Sequence, residues 1–352
     1  MIKISTPGRI CLFGEHQDYL GLPVIAMAIS KRCIISGSSI KSDEIIIKKP
    51  NINQIEKFKL NNLNYTKKRD YFKSGLKIAI DEGLIFESGF ECEIKSQIPI
   101  KAGISSSSAI MVSWIHFLSK VAKNQKNWSK EKIGELAYKA EVEEFYEPGG
   151  IMDQISTSVG GLIYLDTYPF PKIEQIIMDL GPFVIGDSLE SKKTITILKR
   201  CKNLRVSVID KIKKINPSFD LKNVLITDLE KYNLSIFEKN LLIGTIKNRD
   251  FLQQAKNELK NSLCNKYLIG DLMNKHHTIL RDTLNISTPR IEKLIKVSLK
   301  SGAFGAKING SGGGGCMIAY APENPEMVVD AINKNGGKGY IVNCDIGTTQ
   351  EV

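Results

Sequence analysis

The sequence predicts an α+β protein made of two domains. Its 352 residues are enough for two hydrophobic cores. Strand-like patterns are concentrated in the first half, whereas residues 190–300 consist mostly of long helical patterns. Between these parts, the stretch YPFPKIEQIIMDLGPF at 168–183 carries three prolines. We therefore place the boundary there and predict one domain at 1–175 and a second at 176–352.

The predicted elements of the first domain follow from the spacing of its apolar residues. Apolar runs on both sides of a polar loop predict a strand, a loop and a second strand within residues 11–40. In GFECEIKSQIPI, Phe90, Cys92 and Ile94 alternate with charged residues, which predicts a half-buried strand. The next stretch, KAGISSSSAIMVSWIHFLSKVA, has apolar residues at helical spacing after a serine cluster, so a helix should begin there. A second helix is expected at 129–146 and a further strand over GGLIYLDT.

The second domain is predicted to combine helices with a small sheet. Its glycine stretch GSGGGG, at 310–315, formally contains GxGxxG. A dinucleotide fingerprint must follow a strand and open a helix, but the next residues, CMIAYA, predict a strand. A Rossmann site is therefore disfavoured, and the absence of GxxxxGK[ST] excludes a P-loop. A helix at about 324–334 and a final strand over GYIVNCDI complete the predicted domain.

Composition argues against several functional classes. No run of eighteen apolar residues is present, and the N-terminal MIKISTPGRI lacks the apolar segment of a secretory signal, so we expect no membrane association. The seven cysteines form no CxxC pair, which disfavours zinc and disulfides and favours the cytoplasm. The net charge of +11 could suit nucleic acid, but no arginine-aromatic stripe accompanies it, so we expect no nucleic-acid partner. A mildly positive field also suits an anionic substrate such as a nucleoside triphosphate.

Two polar stretches are candidates for chemistry. The segment PGRICLFGEHQDYLG concentrates a cation, two carboxylates, an imidazole and a phenol, namely Arg9, Glu15, Asp18, His16 and Tyr19. The segment AGISSSSA, at 102–109, which we call the serine loop, lies at the start of a predicted helix, where unpaired N–H groups and the helix dipole favour phosphate. A serine-rich helix cap is the alternative, although four consecutive serines exceed what one cap needs.

A third stretch, AEVEEFYEPGGIMDQ, holds several carboxylates. Glu143 and Glu144 suit a charged helix face. Asp153 lies among apolar residues after a Pro-Gly-Gly break, where an acid is either shielded for function or caps the following turn.

Together, PGRICLFGEHQDYLG, PIKAGISSSSA and GAKINGSGGGGC resemble, in order and spread, the three motifs of the GHMP kinases. The first motif looks most like that of galactokinase, and Glu141 and Asp153 keep the spacing of its metal-ligating glutamate and catalytic aspartate. The resemblance implies a ribosomal protein S5 domain 2-like α/β domain followed by a ferredoxin-like domain, with the active site in the cleft. It also implies an ATP-dependent sugar kinase that needs Mg²⁺ and acts as a monomer or dimer.

The resemblance further implies roles for individual residues on the sugar side. Asp153 would be the catalytic base, and Arg9 would stabilise charge beside it. The sugar hydroxyls would be bound by Glu15, His16, Asp18 and the backbone of Gly150. Short polar side chains at fixed angles suit a polyol, because a missing hydroxyl would leave a buried polar group unpaired.

On the nucleotide side, the resemblance assigns ATP and metal contacts. Ser107 and Glu141 would complete the Mg²⁺ shell. The glycines Gly310, Gly312 and Gly313 would support the nucleotide loop. The ATP-binding residues would be Tyr71, Ala102, Gly103, Ile104, Ser105, Ser106, Ser107 and Ser108.

The chain departs from galactokinase downstream of Asp153. The segment that supplies a tyrosine to the sugar in galactokinase has no recognisable counterpart, and the stretch FVIGDSLESKKTITILKRCKNLRVSVI looks more like that of mevalonate kinases. Mevalonate kinase, or another small-molecule GHMP kinase, is therefore the alternative enzyme, although the acid at Asp18 favours a polyol. A non-catalytic sugar sensor is the alternative of another class. Such a sensor should lack the base, the metal ligand or the serine loop.

Overall fold

Strands dominate the first half of the chain and helices the second, as the sequence pattern predicts. The computed structural model describes residues 1–99, 103–191 and 194–351. In chain order, the strands are β1 (Ile2–Phe13), β2 (Val24–Ser39), β3 (Glu44–Lys49), β4 (Gln54–Lys59), β5 (Phe90–Ser96), β6 (Leu162–Asp166), β7 (Lys172–Ile176), β8 (Phe183–Asp187), β9 (Gly305–Ile308), β10 (Cys316–Tyr320), β11 (Lys338–Val342) and β12 (Thr349–Glu351). The α-helices are α1 (Tyr71–Asp81), α2 (Ser106–Val121), α3 (Lys130–Tyr138), α4 (Met152–Val159), α5 (Thr194–Lys213), α6 (Ile236–Leu259), α7 (Lys266–Asp282), α8 (Pro289–Lys300) and α9 (Pro325–Lys334).

The first sheet is organised around the long strand β2. Within the described residues, the strand order is β12-β1-β2-β5-β3-β4, and only the β3–β5 pair is parallel. The start of β2 pairs with β6, which pairs in turn with β7, while the end of β2 pairs with β5. Helix α2 packs against β1 and β2. Arg9 lies in the middle of β1, opposite Ala28, so it projects from the centre of this sheet.

The second sheet is smaller and entirely antiparallel. Its order among the described residues is β11-β8-β10-β9. Helix α8 packs against β9 and β10, and α9 packs against β8 and β11. The glycine stretch joins β9 to β10, so it is followed by a strand, as predicted. The two sheets with their helices agree with the α+β class that the sequence predicts.

Each sheet has its own apolar core. In the first, Trp114 of α2 is fully buried, packs near Phe90 and Phe117, and donates its indole N–H to the carbonyl of Phe72 at 3.0 Å. The predicted alternation in β5 is confirmed, because Phe90, Cys92 and Ile94 are all buried. In the second, residues of α5 to α9 pack against β8, β9 and β10.

The last strand returns to the first sheet. Ile4 of β1 pairs with Gln350 of β12, and the side chain of Thr348 bonds both Thr6 and His116. Strand β12 thus forms one edge of the first sheet. The domain boundary at 175/176 stays a prediction. Among the described helices, none has both the length and the apolar character that a membrane span requires.

Candidate active site

Most of the predicted site residues line one cavity of about 450 Å³. Both halves of the chain contribute to its wall, because Thr194, Leu198 and Ser311 complete it from the second half. Ile104, Gly312 and Gly313 are not part of this lining, and Ala102 lies outside the described residues. The predicted residues that line the cavity are Arg9, Glu15, His16, Asp18, Tyr71, Gly103, Ser105, Ser106, Ser107, Ser108, Glu141, Gly150, Asp153 and Gly310.

A buried ion pair joins Arg9 to Asp153. Arg9 Nε and Nη2 both contact Asp153 Oδ1, at 2.9 and 2.7 Å, and Nη1 donates to the carbonyl of Gly103 at 2.8 Å. The Arg9 side chain is 4% exposed, whereas that of Asp153 is 31% exposed. Burial is the largest single effect and lowers the pKa of Arg9, but the charge and hydrogen bond of Asp153, together with Cys11 and Glu15, raise this pKa overall. The pair thus presents a carboxylate to the cavity with a fixed cation behind it.

The serine loop has the geometry of an anion site. Gly103 and Ser105 have φ values of +88° and +59°, and Ser105 immediately precedes helix α2. The Ser105 hydroxyl is buried without a hydrogen-bond partner among the described residues. Backbone N–H groups at a helix start, next to an unpaired buried hydroxyl, favour a phosphate ligand.

Glu141 lies in a π-helical turn, Lys139–Glu143, that directly follows α3. Such turns concentrate at functional sites. Gln154 Nε2 donates to Glu141 Oε2 at 2.7 Å. The pKa of Glu141 is raised to about 6, chiefly by burial and to a smaller extent by the charge of Asp153, while hydrogen bonds from Ser107, Gln154 and Ser108 offset part of the shift. No described basic group lies within 4 Å of this carboxylate, so its charge has no counterion among the described residues.

Asp18 is held against the backbone of Gly150. A Cβ atom added to Gly150 would lie 2.1 Å from Asp18 Oδ2, so only glycine permits this approach. The N–H of Met152 donates to the same oxygen at 3.4 Å. Burial, followed by the charge of Asp153, raises the pKa of Asp18 to about 6. Two carboxylates therefore share one small region of the cavity.

Glu15 has a protein partner in the structure. Its Oε1 accepts from the ammonium group of Lys307, which also donates to the carbonyls of Cys11 and Ile308 at 3.0 and 2.9 Å. Lys307 is completely buried and Glu15 is 1% exposed. The second oxygen, Oε2, has no hydrogen-bond partner among the described residues. Glu15 thus ties the first motif to β9, and its predicted sugar contact stays a prediction.

His16 is also fixed by the protein. Its Nε2 lies 3.1 Å from the carbonyl of Ser311, which can only accept, so Nε2 carries the proton. Nδ1 therefore accepts from the Tyr19 hydroxyl at 2.9 Å, and that hydroxyl accepts from Nη2 of Arg205. Arg205 is 1% exposed and belongs to α5. This chain of hydrogen bonds sets the tautomer of His16 and connects the first motif to α5.

Aromatic and aliphatic side chains also belong to the cavity lining. Tyr71 donates to Glu147 at 3.0 Å, and Arg69 pairs with the same carboxylate at 2.6 Å. Ile52 and Ile110 line the same cavity. A flat ring beside aliphatic side chains is the usual surface for a purine base.

The two predicted glycines outside the cavity lining, Gly312 and Gly313, allow close packing behind the cavity wall. A Cβ atom on Gly312 would lie 2.6 Å from the carbonyl of Ile286, and one on Gly313 would lie 2.1 Å from Ile197. Both therefore allow the glycine loop to pack closely against Ile286, which precedes α8, and against Ile197 of α5. Ile104 is buried and its carbonyl accepts from the N–H of Arg9 at 3.2 Å.

Several residues at the site escape sequence reasoning. Lys307, Asn309 and Arg205 sit in strand or helix patterns that look structural, and their partners lie far away in the sequence. Thr194 and Leu198 lie on α5, one helical turn apart, where the chain departs from galactokinase. The four-residue spacing of these two is the one local signal that they share a helix face.

Comparisons with known proteins agree with this architecture. Residues 68–161 match the GHMP kinases N terminal domain, and residues 263–338 match the GHMP kinases C terminal domain. Residues 2–39 match a galactokinase galactose-binding signature.

Curated relatives fall into two enzyme groups. The mevalonate kinase of Pyrococcus abyssi is 28% identical over 97% of this chain and 95% of its own length. The galactokinase of Pyrococcus furiosus is 28% identical over 94% of this chain and 92% of its own. Among solved structures, Lactococcus lactis galactokinase complexed with galactose superposes with a TM-score of 0.87 at 19% identity, covering 99% of this chain and 94% of its own. The last likeness establishes the fold.

The contact between Gly150 and Asp18 predicts a sharp difference between neighbouring glycines. In Gly150→Ala the new methyl group must displace the Asp18 carboxylate, so we expect a loss of about 1–3 kcal/mol of unfolding free energy. In Gly149→Ala the nearest atom is 3.9 Å away, so the loss should stay below about 0.5 kcal/mol. Urea unfolding of both variants checks this, and equal losses would contradict the close contact.

Because the pKa of Asp18 is raised, replacing this carboxylate should increase the unfolding free energy by an amount that depends on pH. A carboxyl group whose pKa is raised on folding stabilises the protein below its unfolded pKa, and this contribution is lost as the pH rises through about 6. Asp18→Asn should therefore raise the unfolding free energy at pH 8 by about 1–2 kcal/mol, and the gain should shrink below pH 6. Thermal unfolding at several pH values measures it, and a loss of stability at pH 8 would contradict the assignment.

Proposed function

The chain belongs to the GHMP kinases, and we propose that it transfers the γ-phosphoryl group of ATP to the anomeric 1-hydroxyl of galactose or a related monosaccharide. The observation that carries this proposal is the pairing of buried Arg9 with Asp153 beside the serine loop, in a cavity that Asp18 also lines. The galactokinase galactose-binding signature over residues 2–39 supports a sugar as acceptor.

Asp153 is proposed as the general base. Both guanidinium contacts go to Oδ1, which leaves Oδ2 to accept a proton from the acceptor. In the proposed step, the anomeric oxygen attacks the γ-phosphorus and its proton passes to Asp153. The bond from the γ-phosphorus to the oxygen that bridges to ADP then breaks. Arg9 orients the base and supplies positive charge beside the transferring group.

ATP is proposed to lie between the serine loop and Tyr71. The start of α2, with the hydroxyls of Ser105 and Ser106, would hold the phosphates. The aromatic and aliphatic lining that includes Tyr71 and Ile110 would take the adenine.

Ser107 and Glu141 are the residues proposed to hold Mg²⁺. A buried carboxylate that has no counterion among the described residues and lies next to a hydroxyl suits a hard cation that prefers oxygen ligands. When bound, Mg²⁺ would neutralise charge on the β- and γ-phosphates. The described residues hold no group of three His, Cys, Asp or Glu that could bind a metal unaided, so ATP and water would supply the other ligands.

On the sugar side, Asp18 is proposed as the main hydroxyl ligand. Its carboxylate accepts from the backbone N–H groups of Met152, at 3.4 Å, and Tyr19, and it keeps further acceptor capacity for the substrate. His16 and Glu15, which bond Ser311, Tyr19 and Lys307, would shape the wall behind it. Thr194 and Leu198 would meet the part of the substrate that faces α5.

Mevalonate is the second candidate acceptor. The Pyrococcus abyssi relative is a mevalonate kinase and aligns with almost the whole chain. Leu198 also gives the cavity an apolar side chain that suits a methyl-bearing substrate better than a polyol.

An ADP-release assay across a panel of sugars and mevalonate tests the proposal. We expect turnover with galactose or a related monosaccharide and none with mevalonate. Turnover with mevalonate alone would overturn the choice of acceptor. Sugar binding without turnover, measured by calorimetry, would point instead to a non-catalytic sensor.

Asp153→Asn should abolish the chemistry but keep the nucleotide. Losing a general base typically reduces kcat by at least ~100-fold, while the serine loop and Tyr71 should hold Mg-ATP as before. Asp166→Asn is the matched control, because it breaks an aspartate–lysine pair with Lys222 outside the cavity. Steady-state kinetics and nucleotide titration check both variants. Near-native kcat in Asp153→Asn would remove the base from the mechanism.

A further inference from the structure

Asn309 is a buried side chain that connects three parts of the site. It follows β9 at the start of the glycine loop and is completely buried. Its Oδ1 accepts from the N–H of Cys11 on β1 at 2.9 Å. Its Nδ2 donates to the carbonyl of Gly103 at 2.8 Å. Since Cys11 N–H can only donate and the Gly103 carbonyl can only accept, the two contacts together fix the orientation of the amide.

The carbonyl of Gly103 is the shared acceptor of two residues. Arg9 Nη1 approaches it at 2.8 Å from the first sheet, and Asn309 Nδ2 approaches it at the same distance from the second. Both lone pairs of this oxygen are therefore used. Gly310 makes the approach possible, because a Cβ atom there would lie 2.7 Å from the same oxygen.

The same bonds set the direction of Arg9. One of its nitrogens is held by Gly103 and two are held by Asp153. If the Gly103 carbonyl moves, the guanidinium loses one of its anchors and its other contacts must readjust. A shift of Asn309 would therefore move the Gly103 carbonyl, and with it the Arg9 guanidinium and the carboxylate of Asp153.

We propose that Asn309 is a positioning residue for phosphoryl transfer, which anchors the serine loop to the second domain and thereby aligns Arg9 with Asp153. This inference rests on the proposed function, because its main readout is the rate of that reaction. Asn309 does not contact the proposed base and is not among the described residues that line the cavity. The catalytic pair is therefore assembled by both domains, although its two members belong to the first.

The test compares two variants of equal shape. Asn309→Thr keeps a hydroxyl that can donate to Gly103 and accept from Cys11, whereas Asn309→Val replaces that hydroxyl with a methyl group. We expect kcat to fall about 50-fold in the valine variant, a size typical of a small misplacement of catalytic groups. The KM for the acceptor should change less than about threefold, because Asp18 and Gly150 are not involved. The threonine variant should recover at least about tenfold in kcat over valine.

Two further variants separate positioning from stability. Asn309→Asp keeps the acceptor for Cys11 but turns the donor toward Gly103 into an acceptor. Its kcat should fall at least about 50-fold, so it tests the proposal even if Asn309→Val does not fold. Asn274→Ala is the matched control. Asn274 joins α7 to β9 by accepting from Ala306 N–H at 2.9 Å, away from the serine loop. This control should lower Tm and leave kcat within about threefold of the wild type.

The outcomes distinguish this proposal from the proposed function. Absence of ATP-dependent phosphorylation by the wild-type protein, with every acceptor, would count against the function itself. An active wild type with equal kcat in Asn309→Thr and Asn309→Val would overturn the positioning role alone. A common loss of kcat in proportion to Tm, including in Asn274→Ala, would overturn it as well.

Discussion

The burial of one guanidinium group determines how the site is built. Arg9 is 3% exposed in the middle of β1, and a charge so removed from water must be matched by acceptors. Asp153 and the carbonyl of Gly103 provide them. These two acceptors fix the start of α4 and the start of the serine loop at the same point. A charge that would destabilise an ordinary core thus holds the proposed base next to the proposed phosphate site.

The cavity concentrates negative charge at the expense of stability. Asp18 and Glu141 both have pKa values raised to about 6, chiefly by burial and in part by the charge of Asp153. Above that pH, the ionised Asp18 and Glu141 lower the free energy of unfolding. Ligands that bring hydroxyl donors or a cation would offset this cost. The compensating interactions lie behind the wall, where Lys307 neutralises Glu15 and Arg205 supports Tyr19.

The features that local sequence patterns encode could be predicted from the sequence. The strand β5 and the helix α2 follow from apolar spacing, and Arg9, Asp153 and the serine loop stand out as polar groups beside glycines. The missing parts depend on contacts between distant positions. Lys307 meets Glu15 across 292 residues, and Asn309 meets Gly103 across 206. The short strand β12 was also not predicted, because three residues carry too little alternation to be recognised before their partner in β1 is known.

The position of the phosphate on the product tests the central claim most directly. A proton–phosphorus correlation NMR spectrum of the reaction with ATP, Mg²⁺ and galactose reports which carbon carries the new ester, because the phosphorus couples to the hydrogen on that carbon. Transfer to the anomeric hydroxyl predicts a cross-peak between the new phosphorus signal and the anomeric hydrogen. A cross-peak with any other sugar hydrogen, or product formation with mevalonate only, would contradict an anomeric sugar kinase.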